Sequence, residues 1–225
     1  ITSFATGKQQ HLSKITNATC DWRGQIVRDA ACKFVSGDNV VNHVRHFSSG
    51  EAVWVERTGS GLTFQSIRNH SLVDAHPTAA IVSSTVFNQN VQLVARYRPM
   101  YRYDGVNFER NQSPSINALT PAFAATVQRR LAVAGIPGKE TQVHLSRVDQ
   151  DEIFPDDEEA GSTNVLRAGF VDVANLLGSA DKITGLGSFE QNRLVVFTAD
   201  KAIVYKIDPD ISNWLIDDNA NINIG

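Results

Sequence analysis

Short runs of strand-forming residues recur along the second half of the chain, and they come in pairs. The clearest pair is 193–198 and 202–207, separated by Ala199-Asp200-Lys201, which has the length and chemistry of a hairpin turn. Together with the apolar residues just before it, this hairpin predicts a three-stranded antiparallel meander. Because an isolated hairpin is only marginally stable in water, the meander requires neighbouring sheets to cover its apolar side chains.

Similar pairs occur upstream, and they predict an all-β chain. Polar turns at Asn88 and at the dipeptide Asp104-Gly105 each join two apolar runs, and the small hairpin around Asp104 is typical of a sheet edge. Pro114 and Pro121 limit the stretch between them to one short helical turn, so helix should occupy less than about a tenth of the chain. The chain returns to strand at 165–173. The predicted strands are 52–55, 91–95, 131–134, 194–197 and 203–207.

The hairpins also resemble one another, which indicates an internal repeat. Residues 130–134 can be aligned with 193–197, and 142–145 with 202–205. Repeated meanders suggest sheets that are stacked or arranged radially, so the predicted fold is antiparallel meander sheets in a β-propeller-like body. We assign that body to 39–225 and an N-terminal arm and connection to 1–38. Since strand side chains alternate, Val195 should be buried as well as Leu194, with sheets on both faces.

Composition narrows the classes of protein. The chain has 225 residues, of which 42% are hydrophobic and 20% charged, which is typical of a soluble folded domain. No apolar run approaches the roughly 20 residues of a transmembrane helix, so we expect no membrane insertion. A formal net charge of −3 argues against a general electrostatic grip on nucleic acid.

The sequence predicts no metal site and no cofactor. Cys20 and Cys32 should be reduced thiols, and His43 with His46 adds one further pair without any Cys-x-x-Cys spacing. The acidic run at 149–159 lacks the spacing of a calcium-binding loop, and its like charges predict a solvated segment.

No catalytic motif is present, and we assign no catalytic residue. Gly185-Leu-Gly187 lacks the third glycine of a dinucleotide-binding motif and is interpreted as a turn. Asp181, Asp200 and Asp208 lie near predicted strand ends and could form a glycosidase pair only if two of them met in one pocket. We interpret them as turn and strand-cap residues.

Several of these segments, taken in order, resemble the tail nozzle proteins of short-tailed bacteriophages. The resemblance covers about half of the chain, from about residue 90 onward. It is carried by Tyr103-Asp-Gly-Val-Asn-Phe108, Arg130-Leu-Ala-Val-Ala-Gly-Ile-Pro137 with Val143-His-Leu-Ser-Arg147, and Asp181-Lys-Ile-Thr-Gly-Leu186 with Leu194-Val-Val-Phe-Thr198 and Ile203-Val-Tyr-Lys-Ile207.

This resemblance implies a non-enzymatic structural protein of the virion tail. It implies a β-propeller-like body in a ring of six copies, attached to the neck or adaptor and to tail fibre or spike proteins, with genomic DNA passing through the channel without specific binding. Proteins of that family are usually longer, so we expect these residues to be one part of a longer polypeptide. We expect 1–17 and 149–159 to make the contacts between subunits.

Two alternatives remain open. A propeller could bind carbohydrate or a receptor, with Trp22, Trp54 and Trp214 as stacking platforms, although core tryptophans are commoner. A propeller could also be a protein-interaction scaffold, because such folds expose broad faces to partners.

Overall fold

The structure is a computed structural model that describes the backbone of residues 18–20, 26–28, 40–45, 52–58, 61–66, 71–74, 82–176, 181–217 and 222–223, and the side chains of Thr63, 83–176 and 181–217. Internal contacts divide the chain into two compact units, Ile1–Asp38 and Asn39–Gly225. In the first unit, β1 (Ala18–Cys20) pairs antiparallel with β2 (Ile26–Arg28). The arm at 1–17 lies outside the described residues.

In its described ranges, the second unit contains four antiparallel meander sheets. The first sheet is β3 (Val40–Arg45), β4 (Ala52–Thr58), β5 (Gly61–Ser66) and β6 (Ser71–Asp74). The second sheet is β7 (Val82–Phe87), β8 (Asn90–Ala95), β9 (Tyr101–Tyr103) and β10 (Phe108–Arg110). The third sheet is β11 (Phe123–Val127), β12 (Arg130–Ala134), β13 (Gln142–Leu145) and β14 (Gly169–Asp172). The fourth sheet is β15 (Gly185–Phe189), β16 (Arg193–Phe197), β17 (Lys201–Lys206) and β18 (Leu215–Ile216), with β19 (Ile222–Asn223) also pairing with β17.

Helix is scarce in the described ranges. The single α-helix there, α1 (Pro114–Leu119), joins the second and third sheets, and short 3-10 turns lie at Pro155–Asp157, Ala174–Leu176 and Ile211–Asn213. The five predicted strands coincide with β4, β8, β12, β16 and β17, and β10 lies at a sheet edge as predicted. The all-β, propeller-like prediction is therefore confirmed.

The first strand of each sheet packs against the first strand of the next, so that β3 lies beside β7, β7 beside β11 and β11 beside β15. Small hydroxyl side chains bond β7 to β11. The Thr126 hydroxyl donates to the carbonyl of Val86 at 2.7 Å and lies 3.1 Å from the Thr85 hydroxyl, and the Ser83 hydroxyl accepts from the Ala124 amide at 3.3 Å. Sheets that meet through their first strands are arranged as in a β-propeller.

Among the described side chains, two hydrophobic cores lie between successive sheets. One joins the second and third sheets, and its members include Phe87, Val94, Leu131, Val133 and Phe154. The other joins the third and fourth sheets, and its members include Ala125, Val127, Leu145, Leu194, Val196 and Tyr205. The third sheet is therefore covered on both faces.

Three local predictions were wrong. Gly185 and Gly187 lie within β15 rather than in a turn, and the strand predicted at 165–173 is β14, which begins only at Gly169. Val195 is only half-buried and Phe197 is 39% exposed, so β16 has one covered face instead of two. The reason is that the described sheets pack against only one face of β16, the face of Leu194 and Val196.

Candidate functional site

The acidic segment at 149–159 is packed onto the body at Asp151 and Phe154, where the prediction of a solvated segment was wrong, while Asp149, Gln150, Asp156 and Glu159 are exposed as predicted. Phe154 is fully buried in the core between the second and third sheets, and Asp151 is 8% exposed. The segment belongs to the connection between β13 and β14. This apolar side chain anchors the segment against the sheets. Burial of the neighbouring carboxylates is tolerated only where each of them finds a hydrogen-bond or charge partner.

The partners of these carboxylates come from several strands. Asp151 accepts a hydrogen bond from the Gln92 amide at 2.5 Å, and Arg102 forms an ion pair with Glu152 at 2.9 Å. Glu158 pairs with Arg147 and accepts from the amide of Ala168 at 2.6 Å. The hydrogen bond from Arg147 is the main cause that lowers the pKa of Glu158. These contacts outweigh the mutual repulsion that the sequence suggested.

Asp157 ties the same segment to α1. Its carboxylate accepts from the Ser113 hydroxyl at 2.5 Å, the Ser115 hydroxyl at 2.8 Å and the Phe154 amide at 3.0 Å. The Ser113 hydroxyl in turn caps the helix by accepting from the Ile116 amide at 3.1 Å. Burial opposes ionisation of Asp157, but these hydrogen bonds together lower its pKa.

Beyond the acidic segment, residues 159–166 form an exposed loop tip. Val165 is 51% exposed and Leu166 is 40% exposed. Their backbone is nevertheless held in place, because the Leu166 carbonyl accepts from the Val148 amide at 3.2 Å and the Val165 carbonyl accepts from the Ile211 amide at 3.1 Å. The loop tip thus presents apolar side chains on a hydrogen-bonded backbone, which is the arrangement expected of a preorganised contact surface.

Arg130 is a buried cation that sequence reasoning did not single out. Its guanidinium is fully buried and donates to the carbonyls of Ser146, Arg167 and Pro209 at 2.6–2.7 Å. Burial lowers its pKa to about 10. The ring of Trp214 lies 5.1 Å from the guanidinium carbon, a cation–π distance.

Trp214 is engaged in this packing. Its indole N–H donates to the carbonyl of Asp208 at 2.8 Å, and its ring is partly buried against the core between the third and fourth sheets. A stacking role for a sugar would need a free ring face. The side chains of Trp22 and Trp54 lie outside the described residues.

Asp181 and Asp200 lie near each other, since the Asp181 carboxylate accepts from the amide of Ala199, whereas Asp208 lies apart from Asp200. Asp200 and Asp208 flank the two ends of β17, a strand of six residues, so about 20 Å of extended chain separates them. The Asp181 carboxylate accepts from the amides of Lys182 and Ala199, and the Asp208 carboxylate accepts from the Asp210 amide. Each is thus placed as a turn or cap residue.

A cleft of about 200 Å³ opens near the beginnings of β11 and β15. Its apolar lining includes Phe123 and Ile183, and its charged lining is Arg96, Glu140 and Lys182. The backbone amide of Gly138 is the main cause that lowers the pKa of the Glu140 carboxyl. The lining contains no nucleophile with an adjacent base among the described side chains, so the cleft offers binding chemistry and no catalytic set.

The described ranges lack both a metal-binding cluster and a membrane-spanning helix. No three His, Cys, Asp or Glu side chains there are grouped to hold a metal ion. No helix in that part of the chain is long and apolar enough to cross a membrane. The side chains of Cys20, Cys32, His43 and His46 lie outside the described residues.

Comparison with solved structures supports the fold. The chain is similar to a catalytically inactive virginiamycin B lyase from Staphylococcus aureus, crystallised with quinupristin, with a TM-score of 0.53 and 12% identity over 92% of this chain and 62% of that chain. That lyase is a β-propeller. The present chain is also similar to Raptor from Chaetomium thermophilum, with a TM-score of 0.50 and 14% identity over 82% of this chain and 17% of that chain.

The chain thus spans less than two thirds of either neighbour. At such low identity the likeness shows the β-propeller-like fold alone. No protein-family model and no curated protein matches the chain.

Proposed function

We propose that this chain is a non-enzymatic, β-propeller-like scaffold that binds a protein partner through the loop tip (residues 159–166). The observation that carries the proposal is the pairing of a hydrogen-bonded backbone with exposed Val165 and Leu166. Exposed apolar side chains on an ordered loop lose little conformational entropy when a partner covers them.

The contacts of the acidic segment support this role. Phe154 is buried beneath it, and its carboxylates are held by Arg102, Arg147 and the capping region of α1. The segment thereby fixes the direction in which the loop tip points away from the sheets. The partner contacts predicted for 149–159 stay a prediction, and we propose that the loop tip makes the main contact.

The test is affinity capture of the full chain with cross-linking mass spectrometry in extract of its native source. Three proteins are compared: the wild type, the double variant Val165→Glu with Leu166→Glu, and the control Val106→Glu, whose side chain is 56% exposed in a different hairpin. We expect one stoichiometric partner that cross-links to the loop tip, is lost with the double variant and is retained by the control. Thermal melts check that all three fold equally, since surface substitutions change stability little.

The proposal fails if the wild type captures no stoichiometric protein, or if the double variant captures the same partner as the control. A chain that turned over a small molecule, or that bound a glycan alone, would also overturn it.

A phage tail nozzle is a more specific form of this scaffold, and the sequence resemblance is what motivates it. The segments that resemble nozzle proteins fall on β9–β10, β12–β13 and β15–β17, so they recur on successive sheets. In this form the partners are further copies in a ring of six, the neck or adaptor, and tail fibre or spike proteins. The location is the virion tail, with DNA passing through the channel.

Negative-stain images of the purified protein and a DNA-binding titration at physiological salt test the nozzle proposal. Closed sixfold rings with weak, salt-sensitive DNA binding are expected, because the formal net charge of −3 disfavours contact with a polyanion. A permanent monomer, or tight binding to duplex DNA, would rule the nozzle out and leave the general scaffold proposal intact.

A further inference from the structure

The cleft near the beginnings of β11 and β15 has an apolar floor. Ala122 and Ile183 are buried in it, and the ring of Phe123 is partly exposed. Gly135 lets this ring lie against the backbone, because a Cβ there would be 2.8 Å from it. An engineered apolar cavity of about 150 Å³ holds benzene. The cleft of about 200 Å³ therefore has room for one aromatic ring with a small substituent.

The charged side chains of the cleft give it an excess of positive charge. Arg96 and Lys182 are cations, and Glu140 is the single carboxylate in the lining. The Glu140 carboxylate accepts from the Gly138 amide at 3.1 Å. That amide is the main cause of the lowered pKa of Glu140, and the charges of Lys182 and Arg96 add to it. The field of both cations thus reaches the mouth of the cleft.

Arg96 has an unused hydrogen-bond donor. It directly follows β8, and its Nε atom is buried without a hydrogen-bond partner. A buried donor without an acceptor is costly, so such atoms are rare in folded proteins. Since Arg96 lines the cleft, a carboxylate bound there would offer its guanidinium an acceptor.

Backbone hydrogen bonds fix the two sides of the cleft relative to each other. The Ile183 amide donates to the carbonyl of Glu140 at 3.0 Å, and the Ala122 amide donates to the carbonyl of Ala134 at 2.9 Å. These bonds hold the charged rim and the apolar floor in place before any ligand arrives, as is usual for small-molecule sites.

We propose that this cleft binds a small organic acid, in which a carboxylate is attached to an apolar body of about one aromatic ring. The ring lies on Phe123 and Ile183, and the carboxylate lies between Arg96 and Lys182. A neutral ligand of the same shape would leave the two cations without a counter-charge. An organic cation would meet the same positive excess and be repelled.

A titration followed by ¹H–¹⁵N correlation spectra tests the proposal with three probes: phenylacetate, its neutral analogue phenylacetamide, and acetate. We expect phenylacetate to bind at least about tenfold more tightly than either of the others, because only phenylacetate has both the charge and the ring. The shifted amides should be those of 122–123, 135 and 182–184.

Three variants, each checked by a thermal melt, assign the charges. Lys182→Met should weaken phenylacetate binding about threefold to fivefold, and Glu140→Gln should strengthen it by a similar factor, because exposed charge pairs contribute modestly. The control Lys206→Met, at an exposed position on β17, should leave the affinity unchanged. A gain on removing Glu140 cannot arise from damage to the fold.

The proposal fails if phenylacetate gives no saturable shifts at millimolar concentration, if phenylacetamide binds equally well, or if the Lys206 variant loses as much affinity as the Lys182 variant. A peptide ending in phenylalanine presents the same two groups. Tighter binding of that peptide than of phenylacetate would assign the acid to a protein C-terminus, and weaker binding would assign it to a free small molecule; both support the acid site. The cleft shares no residue with the loop tip, so the scaffold proposal can stand or fall separately.

Discussion

The third and fourth sheets share one hairpin register and differ in what covers them. At the same paired position, the third sheet has Phe123 opposite Ala134, and the fourth has Gly185 opposite Phe197. Each pair joins one aromatic to one small residue, but the aromatic has changed strands. In the third sheet the aromatic packs against the neighbouring core, and in the fourth it is 39% exposed. The two pairs are alike in polarity, so the difference in exposure comes from which sheets pack on each face.

The largest expected difference in stability is between substitutions at Ala132 in the third sheet and at Val195, which occupies the same hairpin position in the fourth. Ala132 is fully buried between two sheets, and Val195 is half-buried on the face of β16 opposite Leu194 and Val196. Ala132→Asp should lower the free energy of unfolding by about 4 kcal/mol or more, and Val195→Asp by about 1 kcal/mol, because only the first buries an unpaired charge. Urea denaturation measures both. Equal losses would mean that the two sheets are covered alike.

Arg193 occupies the same hairpin position in the fourth sheet as Arg130 in the third. Arg130 is buried on three carbonyl groups, whereas Arg193 is partly exposed and pairs with Glu190 and Asp217. Arg130→Met should cost about 3 kcal/mol because it leaves buried carbonyls without donors. Arg193→Met should cost about 0.5 kcal/mol, as expected for a solvent-screened ion pair. Denaturation midpoints that fell in the reverse order would contradict the burial of Arg130.

A glycine pair tests how tightly the third sheet is packed. Gly135 has a φ of +70°, and a Cβ there would lie 2.8 Å from the ring of Phe123, whereas Gly138 has a φ of +78° and open space. Gly135→Ala should cost about 2.5 kcal/mol and Gly138→Ala about 1 kcal/mol, because both pay for the left-handed backbone and only one adds a clash. Thermal unfolding of the two variants gives the difference, and identical melting temperatures would refute the close approach of Phe123.

His144 makes the stability of the third sheet depend on pH. The fourth sheet has Ile203, which does not titrate, at the same position. Burial lowers the pKa of His144 to about 4, and its Nδ1 atom has no hydrogen-bond partner. Between pH 6.5 and pH 4 the unfolded chain binds a proton at this imidazole and the folded chain does not, so stability falls as the pH falls. By pH 5 the loss is about 2 kcal/mol.

Unfolding free energies of the wild type and His144→Leu, measured from pH 7 to pH 5, isolate this contribution. Most of the described carboxylates with shifted pKa values titrate below this range, because their pKa values are lowered. The wild type should lose stability across the range, and the variant should lose about 2 kcal/mol less. Parallel curves would show that the imidazole is solvated in the folded chain.

The sequence predicted the hairpins well because turn chemistry is local. Asp104 illustrates this, since its carboxylate accepts from the amides of Val106 and Asn107 and so builds the turn that the dipeptide Asp104-Gly105 indicated. The repeat was aligned correctly for 130–134 with 193–197. It was displaced by one residue in the next strand, where the register matches Val143, not Gln142, with Ala202. Turn lengths differ there, and a one-residue slip reverses the face of every side chain.

The candidate site was harder to predict because it depends on long-range contacts. Phe154 within an acidic run was the available signal for a buried anchor, but its partners lie on distant strands. Similarly, nothing in the strand beginning at Arg130 separates a buried guanidinium from the partly exposed one at Arg193. Those differences arise from which sheets pack on each face, and local patterns carry little information about that.

Thiol labelling compares Val127, which is covered in the third sheet, with Phe189, which is exposed at the corresponding place in the fourth. With Cys20 and Cys32 replaced by serine, Val127→Cys and Phe189→Cys are labelled separately at a concentration low enough to keep the chain monomeric. Position 189 should react almost as fast as in the unfolded chain, and position 127 at least about 100-fold more slowly, because it must wait for opening of the core. Similar labelling rates at the two positions would contradict this difference in cover.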